Sequence, residues 1–169
     1  YDANYFIASS YDKTGKVNEA LQYFSKVVQQ NKSTFVAASA QRSAELEIGR
    51  GNFNNAVTNF RVLLRNAESK KEQTQAWIGL MDTYYTLKSY DSTLYYAKEV
   101  INVGNVIPGG LGKAQLYFGK VPFERGDLNK AADEFKKVAA TSKDEYGAEA
   151  SYWSAMVLYK NKKYKEAET

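Results

Sequence analysis

Gly126-Asp127-Leu128-Asn129-Lys130-Ala131 recurs in variant form along the chain. Its counterparts are Gly15-Lys16-Val17-Asn18-Glu19-Ala20, Gly51-Asn52-Phe53-Asn54-Asn55-Ala56, Lys88-Ser89-Tyr90-Asp91-Ser92-Thr93 and Lys162-Lys163-Tyr164-Lys165-Glu166-Ala167. With the last residue of each as an anchor, the anchors at 20, 56, 93, 131 and 167 recur after 36, 37, 38 and 36 residues. One period holds two helices' worth of chain, and self-similarity at this spacing marks stacked units that cannot bury their apolar faces alone.

Local chemistry gives each segment a helix-turn-helix reading. Gly15, Gly51 and Gly126 suit the left-handed backbone that ends a helix, and Asn52, Ser89 and Asp127 are residues that cap the next one. Four and seven residues after the anchors stand Phe24 and Val27, Phe60 and Leu63, Ala97 and Val100, Phe135 and Val138. With the large apolar residue three before each anchor (Val17, Phe53, Tyr90, Leu128, Tyr164), this is the spacing of one helical face, not the alternation of a strand.

The helix before each corner has its own stripe. Twelve residues before the anchors lie Ala8, Ala44, Met81, Gly119 and Ala155, mostly small, opposite an anchor that is Ala or Thr. Such pairs let two helix axes approach closely. Tyr11, Tyr84 and Leu158, nine before the anchor, and Trp77, sixteen before it, are bulky enough to fill space between neighbouring pairs. The coarse expectation is ten helices, the last cut off one turn in at Thr169. An ordinary helical bundle with accidental periodicity is the bland alternative.

Composition bounds the chemistry. The 169 residues are 44% hydrophobic, enough for a core, and contain no His, no Cys, two Pro and fourteen Tyr. Without His or Cys there is no Ser-His triad, no thiolate nucleophile, no disulfide and no zinc site of the usual kind. A net charge of +4, from 23 basic and 19 acidic residues spread along the chain, is too weak to point to nucleic acid. No apolar run approaches the roughly 20 residues of a membrane span. The chain starts at Tyr1 inside the repeat pattern, which reads as a fragment of a longer protein.

Trp77, Leu80, Tyr84, Tyr90 and Ala97 in one unit, with Ala20, Phe24, Ala56, Phe60, Ala131 and Phe135 in others, resemble the tetratricopeptide repeat family. The resemblance covers essentially the whole chain and implies an all-α fold, a right-handed α-solenoid of antiparallel helix pairs. The repeats fall at about 1–34, 35–72, 73–110, 111–146 and an incomplete 147–169. The period departs from the family's usual 34, and the repeat-closing proline is missing except for Pro108. Longer units of this sort resemble bacterial cell-envelope members of the family. Truncation of the last repeat leads us to expect uncovered apolar surface near Trp153 and Tyr164, open to self-association.

Two irregularities interrupt the pattern. Asn102 to Gly112, with Gly104, Pro108, Gly109 and Gly110, reads as a plain linker, since no Lys-Ser or Lys-Thr follows Gly112 as a phosphate-cradling loop requires. Pro122 falls in what the period makes the middle of the seventh helix, where it removes a hydrogen bond and predicts a kink, eased by Gly119.

In the family the first helix of each pair lines a concave surface that binds extended peptides or a partner helix. Carried to matching positions, this groove presents Tyr5, Ser9 and Asp12, then Gln41, Glu45 and Ile48, then Ile78, Asp82 and Tyr85. Leu116, Lys120 and Phe123 follow, and then Tyr152, Met156 and Tyr159. The family's Lys-Asn-Arg carboxylate clamp is absent, its places being held by Tyr5, Ser9, Arg42, Gln75 and Gly79. The expected function is a non-catalytic scaffold for a protein or peptide segment, with no cofactor, no metal and no nucleic acid. Two readings stand beside it: an architectural spacer in a larger envelope protein, and a carboxylate-based enzyme using Glu45 and Asp82.

Overall fold

A computed structural model describes residues 2–167 of the chain, with side chains through Lys163. The described residues form helices and connections, with no strand: α1 Ala3–Lys13, α2 Val17–Gln30, α3 Val36–Gly49, α4 Phe53–Asn66, α5 Lys70–Thr86, α6 Tyr90–Val103, α7 Gly110–Glu124, α8 Leu128–Thr141 and α9 Glu145–Ala167. The chain divides into two compact units, Tyr1–Ser89 and Tyr90–Thr169. In the first, α1 packs on α2, α2 on α3, α3 on α4 and α4 on α5, while α3 also touches α5. In the second, α6 packs on α7, α7 on α8 and α8 on α9, and α7 also touches α9. Within each unit the described helices pack chiefly on near neighbours in sequence, the contact pattern of an all-α helical-repeat solenoid.

The corners form as their residues dictate. Gly15, Gly51 and Gly126 adopt φ of 73°, 76° and 83°, and Lys88 takes the same place at 58° without the help of a glycine. Asp127 caps α8 by accepting from the Lys130 backbone N–H at 3.1 Å. Asn52 does not cap α4 with its side chain, which turns instead to Glu47. A capping box the periodicity did not reveal starts α5, where the Ser69 side chain accepts from Glu72 N–H and the Glu72 carboxylate from Ser69 N–H.

The core sits where the stripes predict. The anchors Ala20, Ala56, Thr93 and Ala131 are fully buried, as are Ala8, Ala44 and Met81 opposite three of them. Phe24, Phe60, Ala97 and Phe135, four residues on, are buried too. Two rings rest directly on glycines. A Cβ on Gly119 falls 2.5 Å from Phe135 Cε1, and one on Gly79 overlaps the ring of Phe60. Gly119 therefore makes room for an aromatic ring.

Two expectations change. The tenth helix does not begin at Lys162-Lys163: α9 runs through the anticipated corner to Ala167. The backbone stays helical through Lys162 instead of turning left-handed as it does at Lys88. Pro122 lies in the last turn of α7 rather than its middle. Only two helical residues follow it, and its carbonyl accepts the Asp127 N–H at 2.9 Å, building the corner. Trp153 itself is covered, stacking on Phe135 at 5.8 Å and meeting Phe123 edge-on at 5.1 Å, while the uncovered side chains near it are Tyr152, Leu158 and Tyr159. The side chain of Tyr164 lies outside the described residues.

The glycine-proline segment is a close-packed connector. A Cβ on Gly109 meets the Tyr146 ring at 2.8 Å, and one on Gly112 meets Ser142 Oγ at 3.1 Å and Tyr146 Cβ at 3.2 Å. The missing side chains let the start of α7 abut the start of α9.

Candidate functional site

The odd-numbered helices carry the residues selected from the sequence. In the first unit, Tyr5 is half-buried and stacks on Phe35 at 4.2 Å with nearly parallel rings. Ser9 turns inward along its own helix, donating to the Tyr5 carbonyl at 2.9 Å. Asp12 accepts two hydrogen bonds from Arg42, at 2.7 Å from Nε and 2.9 Å from Nη2. Arg42 also reaches Glu45 through Nη1 at 2.8 Å, and Gln41 donates to the other Glu45 oxygen at 3.2 Å. Asp12, Gln41 and Glu45 are thus joined through one guanidinium, whose charge is held firmly above its ordinary range by hydrogen bonds to Asp12 and then Glu45. Ile48 is exposed nearby on α3, while Ile78, Asp82 and Tyr85 on α5 are half-buried.

In the second unit the selected face divides. Leu116 is 1% exposed and Phe123 9%, both part of the core built with Phe135 and Ala150. They pack the helices together and present nothing to a ligand, which corrects their assignment to a groove. Lys120 pairs with Glu149 on α9, and its ammonium lies 5.5 Å from the rings of both Tyr117 and Trp153. Burial pushes the Glu149 carboxyl up, but hydrogen bonds from Lys120 and Trp153 outweigh it and leave the group below the ordinary carboxylate range. Met156 packs half-buried against the core. Tyr152 and Tyr159, by contrast, are 60% and 55% exposed.

A common geometry explains the division. Asp12 reaches Arg42, Lys120 reaches Glu149 and Phe123 reaches Trp153, in each case from one odd helix to the next in the same unit. Spacings of three and four identify a helical face but not the direction in which it points. The selected face is rotated partly into the contact between successive odd helices. Where α9 follows α7, Leu116 and Phe123 are covered; at the matching places on α9 itself, Tyr152 and Tyr159 stand open.

The sequence reading missed the bridging partners Phe35, Glu149 and Trp153 and gave Arg42 only as a lone basic residue. Arg42 and Trp153 each stand fourteen residues before their anchors, as Tyr117 and Phe6 do. That column of large side chains was the available signal. Chemically, the arrangement offers aromatic area and fixed charges of both signs. Both Glu45 oxygens are engaged by Arg42 and Gln41. Among the described residues, no group of three or more acidic, His or Cys side chains is placed to hold a metal ion, and no helix is long and apolar enough to cross a membrane.

Two family models, both described as tetratricopeptide repeat, match residues 2–34 and 113–169. Among solved structures the chain is similar to YrrB, described as a TPR protein with an unusual peptide-binding site, with a TM-score of 0.65 at 17% identity over 91% of this chain and 74% of that one. It is similar to MamA, with a TM-score of 0.65 at 14% identity, covering 95% and 97% of the two chains. A thermophilic TPR protein of Thermus thermophilus, TTC0263, gives a TM-score of 0.58 at 15% identity, with 94% and 81% covered. No curated protein sequence matches the chain.

Proposed function

Because the chain is a tetratricopeptide repeat protein, we propose that it is a non-catalytic scaffold that holds a protein or peptide segment against its odd-numbered helices. Repeats of this family are in general interaction scaffolds and in general not enzymes. The observation that carries the finer reading is the exposure of Tyr152 and Tyr159 on α9, at positions whose counterparts on α7 are buried. Exposed tyrosines offer large contact area at low entropic cost and are common anchors of binding interfaces. The peptide-binding site described for YrrB supports the same class of ligand.

Selection from a displayed peptide library on the immobilised protein tests this. Enriched peptides should lose binding to a Tyr152→Ala/Tyr159→Ala double variant that keeps its helical circular dichroism. Equal binding by the double variant removes the assignment, and a library that yields no enriched sequence favours the architectural-spacer reading.

A further inference from the structure

The second repeat breaks the pattern of its neighbours at one place. Nine residues before the anchor, the first and third repeats carry Tyr11 and Tyr84, but the second carries Glu47; three residues after the anchor they carry Tyr23 and Tyr96, but the second carries Asn59. In the first repeat the two rings meet, Tyr11 and Tyr23 lying 5.6 Å apart. In the second, Glu47 and Asn59 line a cavity of about 230 Å³, walled by Leu21, Ser25 and Val28 of α2, Ser43 of α3 and Thr58 of α4.

Glu47 is 8% exposed, and its carboxylate accepts from Asn52 Nδ2 at 2.7 Å and Asn55 Nδ2 at 3.3 Å, both neutral donors. The nearest cation described, Arg50 Nη1, stands 3.9 Å off with its side chain 42% exposed. Ser43 is 4% exposed and lines the cavity. A carboxylate largely removed from water, with its nearest described cation at the edge of ion-pair distance, has room for a closer countercharge.

We propose that this cavity binds an alkylammonium group, carried either by a lysine side chain or by a free amine. Its volume lies below the roughly 300 to 1,000 Å³ of whole small-molecule sites, so it takes one side-chain-sized group. Leu21 and Val28 provide apolar wall for a methylene stem, and Ser25, Ser43 and Asn59 provide acceptors beside Glu47. An ammonium has three rotatable donors and needs only one lone pair from each acceptor. A guanidinium needs a clear two-oxygen face, and both Glu47 oxygens already hold an amide. This site lies among α2, α3 and α4, contains neither Tyr152 nor Tyr159, and stands independently of the proposed peptide surface.

The test is a nitrogen-15 NMR titration of the full chain with Nα-acetyl-lysine N-methylamide, with n-butylamine, and with the neutral Nα-acetyl-norleucine N-methylamide. Saturable shifts at the amides of Ser43, Glu47, Asn55 and Asn59 with a charged probe, weakened at least tenfold in Glu47→Gln and absent with norleucine, are expected. Tighter binding of the lysine derivative identifies a polypeptide source, and tighter binding of butylamine a free amine. Thr58→Leu, which narrows the cavity without touching the carboxylate, provides the same loss if Glu47→Gln does not fold. No saturable shift with either amine, or equal binding by the folded variant or by the norleucine probe, overturns the proposal.

Discussion

Phe60 and Phe135 hold the same place in their repeats, four residues after the anchor, and each lies over a glycine of the helix it packs against. Truncating either to Ala opens a ring-sized cavity and should cost about 3 to 5 kcal/mol in urea unfolding. Gly119→Ala gives the sharper test. In a free helix that change stabilises by about 1 kcal/mol. Here the added methyl meets the Phe135 ring, so the sign reverses to a loss of about 1 to 3 kcal/mol, the usual range for overpacking. Glu149 makes a further prediction at this scale. Its carboxyl is depressed in the folded chain by Lys120 and Trp153 despite its burial. Above the ordinary carboxylate range the group is ionised in both states and its stabilisation is complete. As pH falls through the depressed folded value, the folded state takes up the proton too and the contribution is lost. Acid unfolding followed by circular dichroism should therefore show a shallower decline for Glu149→Gln than for the native chain.

Helix ends explain what the sequence could and could not tell about the elements. The corners at Gly15, Gly51 and Gly126 were readable because a left-handed residue and a polar follower are local requirements, and Lys88 was readable only through the period. The same period misled at Lys162, where α9 runs on to Ala167 without a corner. The start of α5 rests on a different local device, and Ser69→Ala should cost about 1 kcal/mol by thermal or urea unfolding, the usual loss of an N-cap. The surface selected for binding was half legible. Its spacing placed each trio on one face, but the direction of that face depends on how successive odd helices pack. Asp12, Lys120 and Phe123 were therefore found in helix-to-helix contacts, with Arg42 and Trp153 as partners the trios did not contain. Tyr152 and Tyr159, by contrast, are exposed on α9.

At the scale of the molecule, the helical-repeat fold and the family agree with the sequence period, the contact pattern within each unit and the likeness to other repeat proteins. Tyr95 on α6 is 62% exposed, as open as Tyr152, yet it belongs to an even-numbered helix. Exposure alone therefore does not define the proposed surface, and the pair makes a controlled comparison. The most direct measurement places the photo-crosslinking residue p-benzoylphenylalanine at position 152, 159 or 95 and irradiates each variant with a peptide enriched by library selection. The scaffold reading predicts crosslinks from 152 and 159 that are competed by unlabelled peptide, with none from 95; crosslinking from 95 alone, or equally from all three, contradicts it.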